Sequence, residues 1–102
     1  MPQYLVGKVV FVIGSGSDSH RGVAVALAEA GADIAVGGRK SDLAAEAQLH
    51  SISNEIWAIG RKSTVVTIDG DLPAAFAAAV GAVIDEMGAA DLVVRCDPVE
   101  SA

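Results

Sequence analysis

The chain repeats one pattern: an apolar run rich in β-branched residues, then a helical stretch, then a glycine. Lys8-Val9-Val10-Phe11-Val12-Ile13 is continuously apolar after Lys8, as expected of a strand buried on both faces of a parallel sheet. A glycine- and serine-rich turn runs from Gly14 to Ser19. Arg21 to Ala30 then reads as a helix stopped by Gly31 just past its end. Asp33-Ile34-Ala35-Val36 is a second strand, closed by Gly37 and Gly38. A long helix is predicted from about Ser41 to Ile59, with Ala45, Leu49, Ile52, Ile56 and Ile59 on its apolar stripe and Gly60 as its stop. Ser63 to Asp69 is a third strand. Asp71 reads as the cap of a third helix, with Pro73 in the first turn, where its missing N–H costs little. That helix carries Phe76, Val80, Val83 and Met87 on one face and ends at Gly88. Leu92-Val93-Val94 is a fourth strand, and the tail from Asp97 to Ala102 is short and acidic.

Strands alternating with helices imply right-handed crossovers and a parallel sheet. The expected fold is therefore α/β: four strands in the order 3-2-1-4 with three helices, the first half of a doubly wound arrangement, in one domain spanning residues 1–102. Two features point to a covering partner. The fourth strand falls at an open, apolar edge, which invites pairing with another chain. The third helix has no charge from Pro73 to Ile84, and a helix apolar all round is usually covered on more than one side. A homo-oligomer, or a partner chain at the Leu92–Val94 edge, is the expectation. The competing account is that alanine is a good helix former whose exposure costs little.

Aromatic residues are only 4% of the chain, so the core must be built from Ala, Val, Ile and Leu. The formal net charge of −6 argues against a nucleic acid, whose phosphates need a basic surface, and against an anionic membrane. Cys96 is the single cysteine, so no internal disulfide can form and a reducing cytoplasm is expected. The start, Met1-Pro2-Gln3-Tyr4, lacks the basic and apolar regions of a signal peptide. No apolar run approaches the roughly 20 residues that span a bilayer.

Chemistry centres on the first turn. A glycine turn at the C-terminal end of a buried strand lets backbone N–H groups approach a phosphate, and the following helix adds its positive end. Here the stretch is Ile13-Gly14-Ser15-Gly16-Ser17-Asp18-Ser19-His20-Arg21-Gly22.

With that turn go several further segments. Leu5-Val6-Gly7-Lys8-Val9-Val10 opens the chain, and Ala26-Leu27-Ala28-Glu29-Ala30-Gly31-Ala32 ends the first helix. Gly37-Gly38-Arg39 follows the second strand, Glu55 to Lys62 ends the second helix, and Asp91-Leu92-Val93-Val94 forms the fourth strand. Together they resemble the N-terminal, NAD(P)-binding Rossmann portion of the short-chain dehydrogenase/reductase family, over nearly the whole chain. The resemblance implies a dinucleotide site formed by Gly14, Ser15, Gly16, Ser17, Arg39 and Asp69. Gly14 matches the first glycine of the family's Thr-Gly-x-x-x-Gly-x-Gly turn. Arg39 matches a basic residue that often pairs with the 2′-phosphate of NADP, a role suited to a fixed bidentate donor. No acidic residue ends the second strand, so NADP is expected over NAD, if either binds. Asp69 matches the carboxylate that faces the adenine.

The departures are as specific as the matches. Ile13 stands for the threonine, and Asp18 and His20 for the second and third glycines. Arg95-Cys96-Asp97-Pro98 stands where the family has Asn-Asn-Ala-Gly. A residue with a Cβ tolerates fewer backbone angles than glycine, and Asp18 would set a carboxylate near the pyrophosphate. Weakened or lost dinucleotide binding follows, with Asp18 or Ser19 capping the helix instead. The family's catalytic Ser and Tyr-x-x-x-Lys lie beyond this chain, so no catalytic residue is expected and hydride transfer needs a half supplied elsewhere.

Tyr4 and Lys8 share that four-residue spacing by coincidence, at the start of the first strand. His20 with Asp18 is too few ligands for a metal, and solvent exposure is the expectation for both. His50 reads as solvated, Cys96 as a small core residue, and Trp57 as a packing residue beside its helix stripe. Two rival readings remain: a non-enzymatic dimerisation or interaction module that has lost its cofactor, and one part of a split enzyme completed by another chain.

Overall fold

A computed structural model describes residues 4–40, 43–70 and 73–96. The elements follow the expected alternation: β1 (Val9–Ile13), α1 (Asp18–Glu29), β2 (Asp33–Arg39), α2 (Leu43–Ile59), β3 (Ser63–Ile68), α3 (Pro73–Met87) and β4 (Leu92–Arg95). The sheet is parallel with the order β3-β2-β1-β4, as the sequence implies. Phe11 of β1 lies between Ala35 of β2 and Val93 of β4.

The apolar run of β1 is buried along its whole length because both faces of the sheet are covered. Val10 and Val12 face one side, with Ala24, Ala28, Ile34, Val36, Leu49, Ile52 and Ile56, where α1 and α2 lie. Val9, Phe11 and Ile13 face the other, with Ala35, Val66, Ala79 and Val83, where α3 lies. Fully burying each of these larger side chains is worth about 1.5–3 kcal/mol. The residues that end the helices, Gly31, Gly60 and Gly88, all have positive φ, the conformation that a left-handed helix stop requires. An ion pair from Arg21 of α1 to Glu55 of α2, at 2.7 Å, ties the two helices together, with Ser51 as a second acceptor at 3.0 Å.

Several boundaries differ from expectation for identifiable reasons. The second strand does not close at Val36 but runs through both glycines to Arg39. Gly37 and Gly38 are contact glycines, not turn glycines. A Cβ on Gly37 would run into the ring of Phe11, and one on Gly38 would lie 2.9 Å from both the Gly14 carbonyl oxygen and Leu49. The first helix begins at Asp18, three residues before the expected Arg21, and its cap is Ser17, not Asp18 or Ser19. In α3 the contact with the sheet is made by Ala79 and Val83. The small Ala79 side chain lets the helix approach closely, and Phe76 is left half out at the flank. Trp57 is more than half exposed too, with its indole N–H donating to the Ser63 carbonyl at 3.0 Å. The expected cap Asp71 and the tail from Asp97 lie outside the described residues.

β4 stands at the sheet edge, with Leu92 48% and Val93 42% exposed, and Ile84 of α3 is exposed as well. Among the described residues, no helix is long and apolar enough to cross a membrane.

Candidate functional site

The carboxyl ends of the strands gather the residues singled out above. Gly14 follows β1, Arg39 ends β2, and Asp69 follows β3, while Cys96 follows β4 on the other side. Ser15, Gly16 and Ser17 bridge from Gly14 to the N-terminus of α1. In a parallel doubly wound sheet this is the edge where ligands bind, at the point where the chain reverses direction across the sheet. Here that point is the gap between β1 and β4. Arg39 and Asp69 are exposed. Tyr4 and Lys8 lie at the opposite, amino-terminal edge, both exposed, so their spacing has no counterpart in the site.

The turn itself is tightly packed. The Gly14 N–H donates to the Gly37 carbonyl at 3.0 Å, which fastens the turn to the end of β2. Gly16 has φ 85°, and a Cβ there would meet the Cβ of Gln48 on α2 at 2.9 Å. Glycine is therefore required at 16 both for its backbone angle and for the close approach of α2. Ser17 Oγ accepts the His20 N–H at 3.2 Å and so satisfies one of the amides left unpaired at the helix start.

His20 is not the solvated residue the sequence suggests. It is 0% exposed, and its ring lies under the turn. Nδ1 accepts the Gly16 N–H at 3.0 Å, and Nε2 lies 3.0 Å from the Val12 carbonyl oxygen. The space above Gly14 is closed by the same ring and by Cys96: a Cβ on Gly14 would come within 2.6 Å of the imidazole and 2.9 Å of the Cys96 sulfur. Cys96 is half-buried against the core, as expected, and its thiol donates to the Ile13 carbonyl at 3.2 Å. Asp18 is exposed in the first turn of α1, where its charge favours the helix. With both His20 nitrogens engaged inside the protein, His20 and Asp18 form no metal pair. Among the described residues, no three His, Cys, Asp or Glu side chains come together as a metal would need. His50 is exposed on α2.

The fit of this edge to a dinucleotide is partial. The helix N-terminus, a guanidinium and a carboxylate stand in the right order along the strand ends. However, two of the turn's N–H groups, those of Gly14 and Gly16, already have protein acceptors. The role of His20 was hidden in the sequence by the misplaced helix start. Counted from Asp18, His20, Ala24 and Ala28 form one buried stripe at four-residue spacing.

No protein-family model matches the chain. In sequence it is similar to an uncharacterized oxidoreductase of Mycobacterium tuberculosis (strain CDC 1551 / Oshkosh), with 31% identity over 88 residues, 86% of this chain and 32% of that protein. In structure it is similar to a short-chain type dehydrogenase/reductase from Mycobacterium marinum, with TM-score 0.74 and 29% identity over 87% of this chain and 34% of that one. A dehydrogenase from Burkholderia cenocepacia, solved with bound NADP, shares the fold with TM-score 0.76 at 22% identity, over 93% of this chain and 36% of its own. The chain thus spans about a third of the length of the relatives it matches.

Proposed function

Taking the chain as a relative of the short-chain dehydrogenases/reductases over about a third of their length, we propose that it is the NAD(P)-binding portion of an oxidoreductase. On this reading it is not catalytically complete on its own. What carries the proposal is the convergence of the Gly14–Ser17 turn, Arg39 and Asp69 at one edge of a parallel sheet, beside the N-terminus of α1. In this reading the turn and helix end receive the pyrophosphate, Arg39 the 2′-phosphate of NADP, and Asp69 the adenine side. NADP is favoured over NAD because Arg39, and no carboxylate, ends β2. The affinity is modest, since Gly16 already has an acceptor in His20 and Asp18 adds a negative charge at the helix start. A reducing cytoplasm suits the lone thiol of Cys96.

Calorimetric titration with NADPH, then NADH, on the wild type and Arg39→Ala tests this directly. Binding in the micromolar to millimolar range is expected, tighter for NADPH, and the preference should vanish in the variant. Equal affinity for both cofactors in the wild type would refute the role of Arg39.

A second reading, an interaction module that has lost its cofactor, draws on the exposed Leu92 and Val93 at the edge strand and Phe76 and Ile84 on α3. A concentration-dependent dimer with no heat from either nucleotide would favour it.

A further inference from the structure

The glycine turn is braced from inside by a titratable ring. The Val12 carbonyl at Nε2 needs a donor, and the Gly16 N–H at Nδ1 needs an acceptor. The neutral imidazole with its proton on Nε2 meets both requirements at once. The opposite tautomer sets two donors against each other at Gly16 and two acceptors at Val12. The doubly protonated ring keeps the Val12 bond but turns an N–H toward the Gly16 N–H, and it leaves a charge on a ring that is 0% exposed.

Several described neighbours flank the ring. Across Gly14 lies the Cys96 thiol. On its own helix, Asp18 is exposed and Arg21 is paired with Glu55 of α2. Where α2 meets the turn, Gln48 is the contact at Gly16, and β2 contributes Gly37 and Gly38.

We propose that His20 makes the turn acid-sensitive: the neutral ring fixes the backbone around Gly16, and protonation releases it. The proposal concerns the turn to which the dinucleotide reading assigns the phosphates, but the two ring bonds exist without any ligand. The sign follows from proton binding. The unfolded chain titrates its histidines at about pH 6.5, while the two ring bonds of the folded turn form together only with the neutral ring. The stabilising contribution is therefore complete above that pH and is lost as the pH falls, with the unfolding constant rising up to about tenfold per pH unit.

The test uses the full chain, as wild type and as His20→Asn, whose side-chain oxygen can accept the Gly16 N–H but does not titrate. Urea unfolding between about pH 8 and pH 5 is compared for the two, and the wild-type His20 ring and Gly16 amide are followed by ¹⁵N NMR over the same range. The expected result has three parts. The ring carries its proton on Nε2 at the upper pH, the ring and the Gly16 amide shift together on acidification, and the wild-type unfolding constant rises about tenfold more than the variant's. A proton on Nδ1 at the upper pH, a Gly16 amide that ignores the ring, or equal acid sensitivity of the two proteins would overturn the proposal. If His20→Asn does not fold, the wild-type titration decides alone. Absence of NADPH binding at the upper pH would count against the dinucleotide reading and leave this one standing.

Discussion

Substituting Gly37 by alanine examines the packing logic of the sheet at its tightest point. The added Cβ runs into the Phe11 ring, with Cζ at 2.9 Å and Cδ1 at 3.1 Å as its next neighbours. Phe11 is fully buried between the sheet and α3, among Ile13, Ala79 and Val83, so the ring cannot move into solvent. Gly37 is not among the positive-φ glycines, so alanine meets no backbone strain there. Overpacking of this kind costs about 1–3 kcal/mol, offset by less than about 1 kcal/mol from stiffening the unfolded chain. The net expectation is a loss of about 1–2 kcal/mol, or a fall in Tm of roughly 4–8 °C per kcal/mol in a chain of this size. Phe11→Leu alone leaves a void and also destabilises, by about 1–2 kcal/mol. In the double variant the new methyl occupies space vacated by the ring, so the two losses do not add, and a coupling of about 1 kcal/mol or more is expected. Urea unfolding followed by far-UV circular dichroism, with unchanged slopes, gives the four values. Gly37→Ala within about 0.5 kcal/mol of wild type, or strictly additive losses, would refute the reasoning.

Other expectations concern the turn and the start of α1. Ser17→Ala removes the side-chain acceptor for the His20 N–H and should cost about 1 kcal/mol in urea unfolding, while replacement by Asp or Thr should restore most of it. Asp18→Asn removes a negative charge from the helix start. NADPH affinity should rise about tenfold, as expected for relief of a repulsion of roughly 1.4 kcal/mol. The same change should cost a few tenths of a kcal/mol of stability through the lost helix-end charge, and the gain in affinity should shrink with added salt.

The strand order was legible because apolar runs alternate with helical stretches, the run of β1 is buried on both faces as the central strand requires, and each helix ends on a glycine with positive φ. The end of β2 was not. Gly37-Gly38 has the composition of a turn, and only the positions of Phe11, Gly14 and Leu49 across the sheet reveal that both glycines serve close approach. His20 was illegible for a related reason. Flanked by Ser19 and Arg21, it looks like part of a polar turn until the helix is started at Asp18 and the four-residue stripe with Ala24 and Ala28 becomes apparent. Trp57 and Phe76 show the limit of periodicity as a guide to burial. Trp57 flanks the stripe of its helix and Phe76 belongs to the apolar face expected of the third, yet the elements close on smaller or better-centred neighbours, Ile56 and Ala79, and leave both rings largely outside.

The most direct test of the central claim is an NMR titration of the ¹⁵N-labelled chain with NADPH. The account predicts that the largest amide shifts fall on Gly14, Ser15, Gly16, Ser17, Arg39 and Asp69, with Tyr4 and Lys8 at the opposite edge unmoved. No shifts at millimolar NADPH, or shifts centred away from the carboxyl ends of β1, β2 and β3, would contradict it.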